Sequence, residues 1–240
     1  MDSLIRGVHQ FYRDIYTPRR EVYQKSLERQ QPQALFVTCS DSRLDPQAHT
    51  QAGPGELFVL RNAGNLIPPY GTGRGGESAT IEYAVAGLGI RNIIVCGHTH
   101  CGAIKALLDL ESHTHLPETS NWLRHAEATR QIVEGRYGEL PFADRWKIAV
   151  EQNVLSQLDH LRTHPVVAAG LAHGELKVYG WISDLETGRI LSFDPAKGKF
   201  VELPGGADDK SVEVPPSIPA MMVVGHSGGK QATVNAKPKA

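Results

Sequence analysis

The sequence predicts an α/β fold: a mostly parallel central sheet flanked by helices, with N-terminal helices and a flexible C-terminal tail. Three observations carry that expectation. Short apolar runs of buried-strand length (Ala34–Thr38, Leu57–Leu60, Asn92–Cys96) alternate with segments of helical period, the pattern of strand–helix–strand units. A chain of 240 residues is long enough to bury a full core without staples, as one large domain or two small ones. After Leu203 the composition shifts to Gly, Pro, Ser and Lys without periodicity, so residues 1–203 read as the folded domain and 204–240 as an appended extension.

Each element follows in order. Leu4, Val8, Phe11 and Ile15 recur every three to four residues, which makes an amphipathic helix, and Pro18 interrupts it before a second short helix through Val22 and Leu27. These form a helical arm over about residues 1–30. Ala34–Thr38 and Leu57–Leu60 are strands, and Asn65–Gly76, with two prolines and four glycines, is a long loop. Ile81, Ala84, Val85 and Leu88 share a helical face that Gly89 ends. Asn92–Cys96 is a strand and Ala103–Leu110 a helix, whereas Ser112–Ser120 is polar and reads as a surface connection. The longest helix runs from Phe142 to Leu161. Val166–Ala172 is at most a weak strand. Leu176–Ile182 and Arg189–Phe193 are late strands joined through the turn residues Glu186-Thr187-Gly188.

Composition excludes several classes. Twenty-five basic against 26 acidic side chains give a net charge of −1, without the basic surplus of a nucleic-acid protein. No apolar run approaches the roughly 20 residues of a membrane span. The opening MDSLIRGVHQ lacks the apolar stretch of a secretory signal, so an intracellular, cytoplasmic location is expected. Three cysteines make no disulfide framework and are more often metal ligands or buried apolar residues.

Two segments hold most of the chemistry: Cys39-Ser40-Asp41-Ser42-Arg43 and Gly97-His98-Thr99-His100-Cys101-Gly102, each directly after a strand. Ligands in open α/β sheets gather at the carboxyl ends of strands, so both segments sit where a site belongs. Cys39, His98 and Cys101 make a ligand set of two sulfurs and one nitrogen that suits zinc, and three protein ligands leave the open fourth position of a catalytic zinc. The blander alternative is two packed cysteines and one packed histidine. Asp41 and Arg43, at i and i+2, point to one side of an extended segment, where the guanidinium fork can orient the carboxylate. Asp41 then either becomes a fourth zinc ligand, in an inactive state, or accepts a hydrogen bond from the water on zinc. Without a metal, the pair reduces to an ordinary loop salt bridge.

Cys96 could close a structural site with three cysteines and one histidine, but Cys-x-His on one strand crowds both ligands, and a buried strand cysteine is the better reading. His100 is close enough for a proton relay, although an exposed loop histidine is commoner. His113 and His115 sit in a polar connector. Gly71–Gly76 satisfies G-x-G-x-x-G, but it follows Pro68-Pro69 rather than a strand, and twenty residues on stands Cys96 rather than an acid; it is not a dinucleotide site.

CSDSR, GELFVLRNAGN (Gly55–Asn65), EYAV (Glu82–Val85) and GHTHCG, in that order, resemble the β-class carbonic anhydrase family, densely from about Ala34 to Leu110. Looser similarity continues through NWLRHAEATR (Asn121–Arg130), the long helix and HGELKVYGWISDLETG (His173–Gly188). RNAGNLIPPYG, NWLRH and the added tail are most similar to the cyanobacterial carboxysome-associated branch. The resemblance implies a zinc lyase, a carbonate dehydratase, that interconverts carbon dioxide and bicarbonate and supplies carbon dioxide from bicarbonate for carbon fixation. Matched by position, Cys39, His98 and Cys101 would hold Zn2+, Asp41 and Arg43 would form the catalytic dyad, and Gln30, Phe58, Tyr83 and Gly102 would bind substrate. Ala63 stands where relatives often carry valine, which widens the pocket slightly. The tryptophan that the bicarbonate-inhibited branch places three residues before its first cysteine is Phe36 here, which favours an open zinc with three protein ligands. The resemblance also implies a homodimer or higher homo-oligomer embraced by N-terminal helices, placement inside carboxysomes, and a shell or scaffold partner for the tail, whose apolar island is Ala220–Val224. Two other classes remain: a non-catalytic structural zinc module closed by Cys96, and a hydrolase of related fold acting on carbon disulfide-like substrates.

Overall fold

The computed structural model describes residues 1–72, 75–203 and 217. Its centre is a six-stranded sheet in the order β2-β1-β3-β4-β5-β6. The strands are β1 (Ala34–Cys39), β2 (Leu57–Asn62), β3 (Asn92–His98), β4 (Lys177–Ser183), β5 (Ile190–Asp194) and β6 (Lys199–Glu202). β1 pairs in parallel with both β2 and β3, and β3 in parallel with β4. β5 and β6 then add antiparallel hairpins. Every residue of β1 is buried, as an inner parallel strand requires, which is why its sequence is continuously apolar rather than alternating. β2 lies at the sheet edge and alternates partly covered with exposed positions.

The principal core lies on one face. Leu35, Val37, Ile93 and Val95 of the sheet meet Val150, Val154, Leu158 and Leu161 of the 21-residue helix α8 (Phe142–Arg162). Gly97 permits that approach: a Cβ there would sit 2.8 Å from Val154 Cγ2, closer than packed atoms come. The opposite face carries a smaller cluster of Ala34, Phe36, Ile94, Cys96 and Tyr179, with Phe36 edge-on to Trp181 at 6.1 Å.

The remaining helices are α1 (Asp2–Gln10), α2 (Arg20–Lys25), α3 (Pro46–Thr50), α4 (Gly76–Glu82), α5 (Gly102–Leu107), α6 (Pro117–Leu123), α7 (Glu127–Tyr137) and α9 (Pro165–Ala172). α1 runs on through a wider π-wound turn, Phe11–Tyr16, and neither it nor α2 buries a residue. Leu4 and Val8 are about two-thirds exposed, at 66% and 67%, so the apolar stripe read from the sequence is present but uncovered within one chain. α3 starts on Asp45, whose carboxylate accepts from the Gln47 and Ala48 amides, with Pro46 at the first helical position.

One expectation needs correction, and two elements went unread. The polar stretch 112–120 is not a plain connection: a short 3-10 turn leads into α6, with Pro117 in its first turn and Leu123 fully buried to anchor it. Residues 166–172 are helical, because Pro165 sets the first turn and Val167 packs into the core from a helix, not a strand. β6 went unrecognised because its four residues KFVE are too few to show a period. Gly71–Gly76 lies partly outside the described residues, and the apolar island 220–224 lies wholly outside them.

Candidate metal centre

Parallel pairing brings the two sequence segments together. β1 ends at Cys39 and β3 at His98, with Thr38 opposite Cys96, so the carboxyl ends of neighbouring strands deliver both side chains to one place. The chain then turns through His100, which holds a left-handed φ of 58°, and Cys101 caps α5. The ligand atoms of Cys39, His98 and Cys101 all lie within 4.8 Å of one another, and all three residues are buried. Among the described residues this is the one cluster of its kind.

The donor set fits a zinc ion. Two sulfurs at about 2.3 Å on a tetrahedral centre stand roughly 3.8 Å apart, and the Cys39 and Cys101 Sγ atoms are 4.0 Å apart. His98 Nδ1 lies 2.9 Å from the Thr99 carbonyl, a contact that assigns the proton to Nδ1 and leaves Nε2 as a lone-pair donor. That Nε2 is buried and without a hydrogen-bond partner, a costly state unless a cation faces it. The thiols point the same way. The hydrogen bond from Cys101, aided by the Gly64 and Asp41 amides, holds Cys39 well below the usual thiol range against the opposing effect of burial. With that negative charge beside it, and buried, Cys101 is driven far upward. Without a metal the pair therefore holds one thiolate and one thiol; a bound cation would let both sulfurs ionise.

Asp41 stands at the rim of the cluster. Arg43 grips it through Nε to Oδ1 at 2.9 Å and Nη2 to Oδ2 at 2.7 Å, while the Arg43 amide donates to Oδ1 at 3.0 Å. Those hydrogen bonds hold the carboxyl well below the ordinary carboxylate range, although burial opposes them. Asp41 Oδ2 is 3.8 Å from His98 Nε2, so the carboxylate borders the cluster while its oxygens are committed to Arg43. Arg43 in turn donates to the His100 carbonyl at 3.1 Å, and Arg61 ties down the Cys39 and Asp41 carbonyls at 3.1 and 2.8 Å.

Cys96 belongs to the opposite-face cluster, outside the ligand group. Complete burial pushes its thiol up to about 12, which keeps it protonated. A structural site closed by Cys96 therefore has no support. His100 pairs with Glu186 and meets the Trp146 ring edge-on at 5.5 Å, and His113 and His115 stack on each other in the 110–116 segment. Of the pocket candidates, Phe58 and Tyr83 meet with ring centroids 6.1 Å apart, Gly102 opens α5 next to Cys101, and Gln30 is exposed on the connection before β1.

Sequence reading missed the residues that hold these turns from behind. Trp146 Nε1 donates to the Cys101 carbonyl at 3.0 Å, Trp122 Nε1 to the Ala63 carbonyl at 2.8 Å, and Asn153 Nδ2 to the Gly64 carbonyl at 2.9 Å. The available signal was Asn153 and Gln157, two amides four apart within an otherwise apolar helical stripe.

Comparison with known proteins completes the description. The carbonic anhydrase family model matches residues 34–190. The chain is 44% identical over 218 residues to a carbonic anhydrase of Synechococcus elongatus, covering 90% of this chain and 79% of that one. It is 46% identical over 203 residues to a carbonic anhydrase of Pseudomonas aeruginosa, covering 85% and 92%. Among solved structures, the β-carbonic anhydrase CcaA superposes with a TM-score of 0.83 at 44% identity, over 86% of this chain and 93% of that one.

Proposed function

The chain belongs to the β-class carbonic anhydrases, and from that premise we propose that it interconverts carbon dioxide and bicarbonate with one zinc ion held by Cys39, His98 and Cys101. The observation that carries the reading is the buried donor set, with His98 Nε2 unpartnered, beside a carboxylate pinned by arginine. Bound there, zinc supplies the Lewis acidity that makes water a nucleophile near neutral pH.

The chain's own residues do the rest. Asp41 stays ionised and fixed in orientation by Arg43, so it accepts a hydrogen bond from the attacking water and aims its lone pair. Arg43 reaches the His100 carbonyl as well, which ties the dyad to the turn carrying His98 and Cys101. The resemblance assigns Phe58, Tyr83 and Gln30 to the substrate pocket; because Phe58 pairs with Leu35 and Gln30 precedes β1, both towards the far end of that strand from Cys39, they would serve the metal of a second copy rather than that of their own chain. Stopped-flow hydration with and without a chelator tests the reading: activity is expected to vanish with the metal and return on adding zinc. Turnover that survives complete metal removal would sink it.

Residues 1–203 are proposed as the catalytic body. The uncovered stripe of α1 supports assembly into a homodimer or larger homo-oligomer, in which a second copy covers Leu4 and Val8. Among the described residues no helix is long and apolar enough to cross a membrane. From the resemblance of RNAGNLIPPYG, NWLRH and the added tail to the carboxysome-associated branch, a role in supplying carbon dioxide for fixation is proposed as well, with residues 204–240 recruiting the enzyme to a carboxysome shell or scaffold. The comparably high identity to the Pseudomonas enzyme means that the catalytic body does not carry this distinction. A chain ending at Leu203 is expected to keep zinc and hydration activity while losing partner capture or a higher oligomer, as read by co-sedimentation and light scattering. Unchanged capture and unchanged mass would remove the tail's role; lost activity would move the domain boundary.

A further inference from the structure

We propose that Trp122 and the Asn153–Gln157 pair are positioning residues for the metal, acting through the loop Ala63–Ile67 to set an N–H···S hydrogen bond on Cys39. The inference rests on the reading that Cys39 ligates zinc. The Gly64 amide donates to Cys39 Sγ at 3.4 Å. The peptide that carries this amide has the Ala63 carbonyl at its other end, and that carbonyl accepts from Trp122 Nε1 at 2.8 Å. A hydrogen bond to a peptide oxygen polarises the same peptide's N–H and strengthens it as a donor.

The next carbonyl along, that of Gly64, accepts from Asn153 Nδ2 at 2.9 Å, and Asn153 Oδ1 accepts from Gln157 Nε2 at 3.0 Å. Gln157 Oε1 closes the clamp by accepting the Ile67 amide at 2.7 Å. Asn153 and Gln157 are 1% and 0% exposed, so each amide has been desolvated, and a purely packing role would have been met by leucine at lower cost. Gly64 itself has a left-handed φ of 82°, a conformation that needs glycine, and it is pinned at both of its peptide groups.

A hydrogen bond to a thiolate draws charge off the sulfur. It lowers the energy of the sulfur lone pairs and weakens donation to the metal, the usual way outer partners tune a site. Cobalt(II) in place of zinc reports on this directly, because the energy of its thiolate-to-cobalt charge-transfer band rises as the sulfur lone pairs are stabilised. Trp122→Phe, which keeps an aromatic ring and removes the donor, and Asn153→Ala should both move that band to lower energy. Zinc competition against a chelator should show metal affinity altered by about 10-fold or more. Ser156→Ala, buried on the same helix but bonded to Gln152 rather than to the loop, should leave both readouts unchanged. A band that stays in place in Trp122→Phe and Asn153→Ala overturns the proposal, and so does an equal shift in Ser156→Ala. If Asn153→Ala does not fold, Trp122→Phe alone decides. A wild-type cobalt protein without a thiolate band would overturn the metal assignment, and this inference with it.

Discussion

Asp41→Asn is expected to bind a full complement of zinc and to lose on the order of 10²–10⁴-fold in hydration rate, roughly 3–5 kcal/mol of transition-state stabilisation. The geometry says why so small a change costs so much. Oδ1 takes two donors, the Arg43 amide and Nε, and Oδ2 takes Nη2 while bordering the metal cluster. The single oxygen of an asparagine best fills the first position, where two donors converge. Its NH2 then falls on the side facing the nucleophile, where it meets Arg43 Nη2 and presents a donor in place of an acceptor. Metal content and the unfolding transition separate this from collapse of the site. Near-normal turnover in a zinc-replete Asp41→Asn enzyme would reduce the dyad to a rim salt bridge.

Cys39→Ser and Cys101→Ser are each expected to lose nearly all bound zinc, with affinity falling by more than the roughly 10–100-fold typical of losing an outer partner. A serine hydroxyl replaces a soft thiolate with a hard, protonated oxygen on a shorter bond, and the ion's charge is no longer matched. Cys96→Ser serves as the internal control. Its thiol lies in the opposite-face cluster and is held protonated by burial, so the variant should retain zinc while paying in stability for a hydroxyl among apolar side chains. Full zinc occupancy in Cys39→Ser or Cys101→Ser, measured by elemental analysis after dialysis, would refute the ligand assignment.

The legible part of this molecule was whatever one segment states by itself. Ala34–Thr38 reads as a strand because both faces of β1 are buried, and the Cys39, His98 and Cys101 cluster could be named because soft sulfur and imidazole side chains follow strand ends. What stayed hidden depends on neighbours. Residues 166–172 carry no helical alternation because the α9 sequence PVVAAGLA is apolar almost throughout, and only Pro165 marks the start. Asn153 and Gln157 are polar positions within a packing helix, and nothing in that helix's own sequence names the distant loop at Gly64 that they hold. The stripe of α1 reads as an amphipathic helix in sequence, since periodicity reports that a face is apolar and not which molecule covers it.

The parallel pairing of β1 with β3 bears on how the protein comes into being. Cys39 and His98 stand side by side only because a stretch of fifty-nine positions has been closed between them, through an edge strand, a long loop and a helix. Such non-local closure is slow compared with helix formation, since its entropy is lost before any contact repays it. A nascent chain that has emerged only as far as β2 therefore offers one lone thiol and no chelate. A metal held by the proposed set of Cys39, His98 and Cys101 could therefore be chelated only once β3 stands beside β1, and its binding free energy would add to the stability of that closed topology.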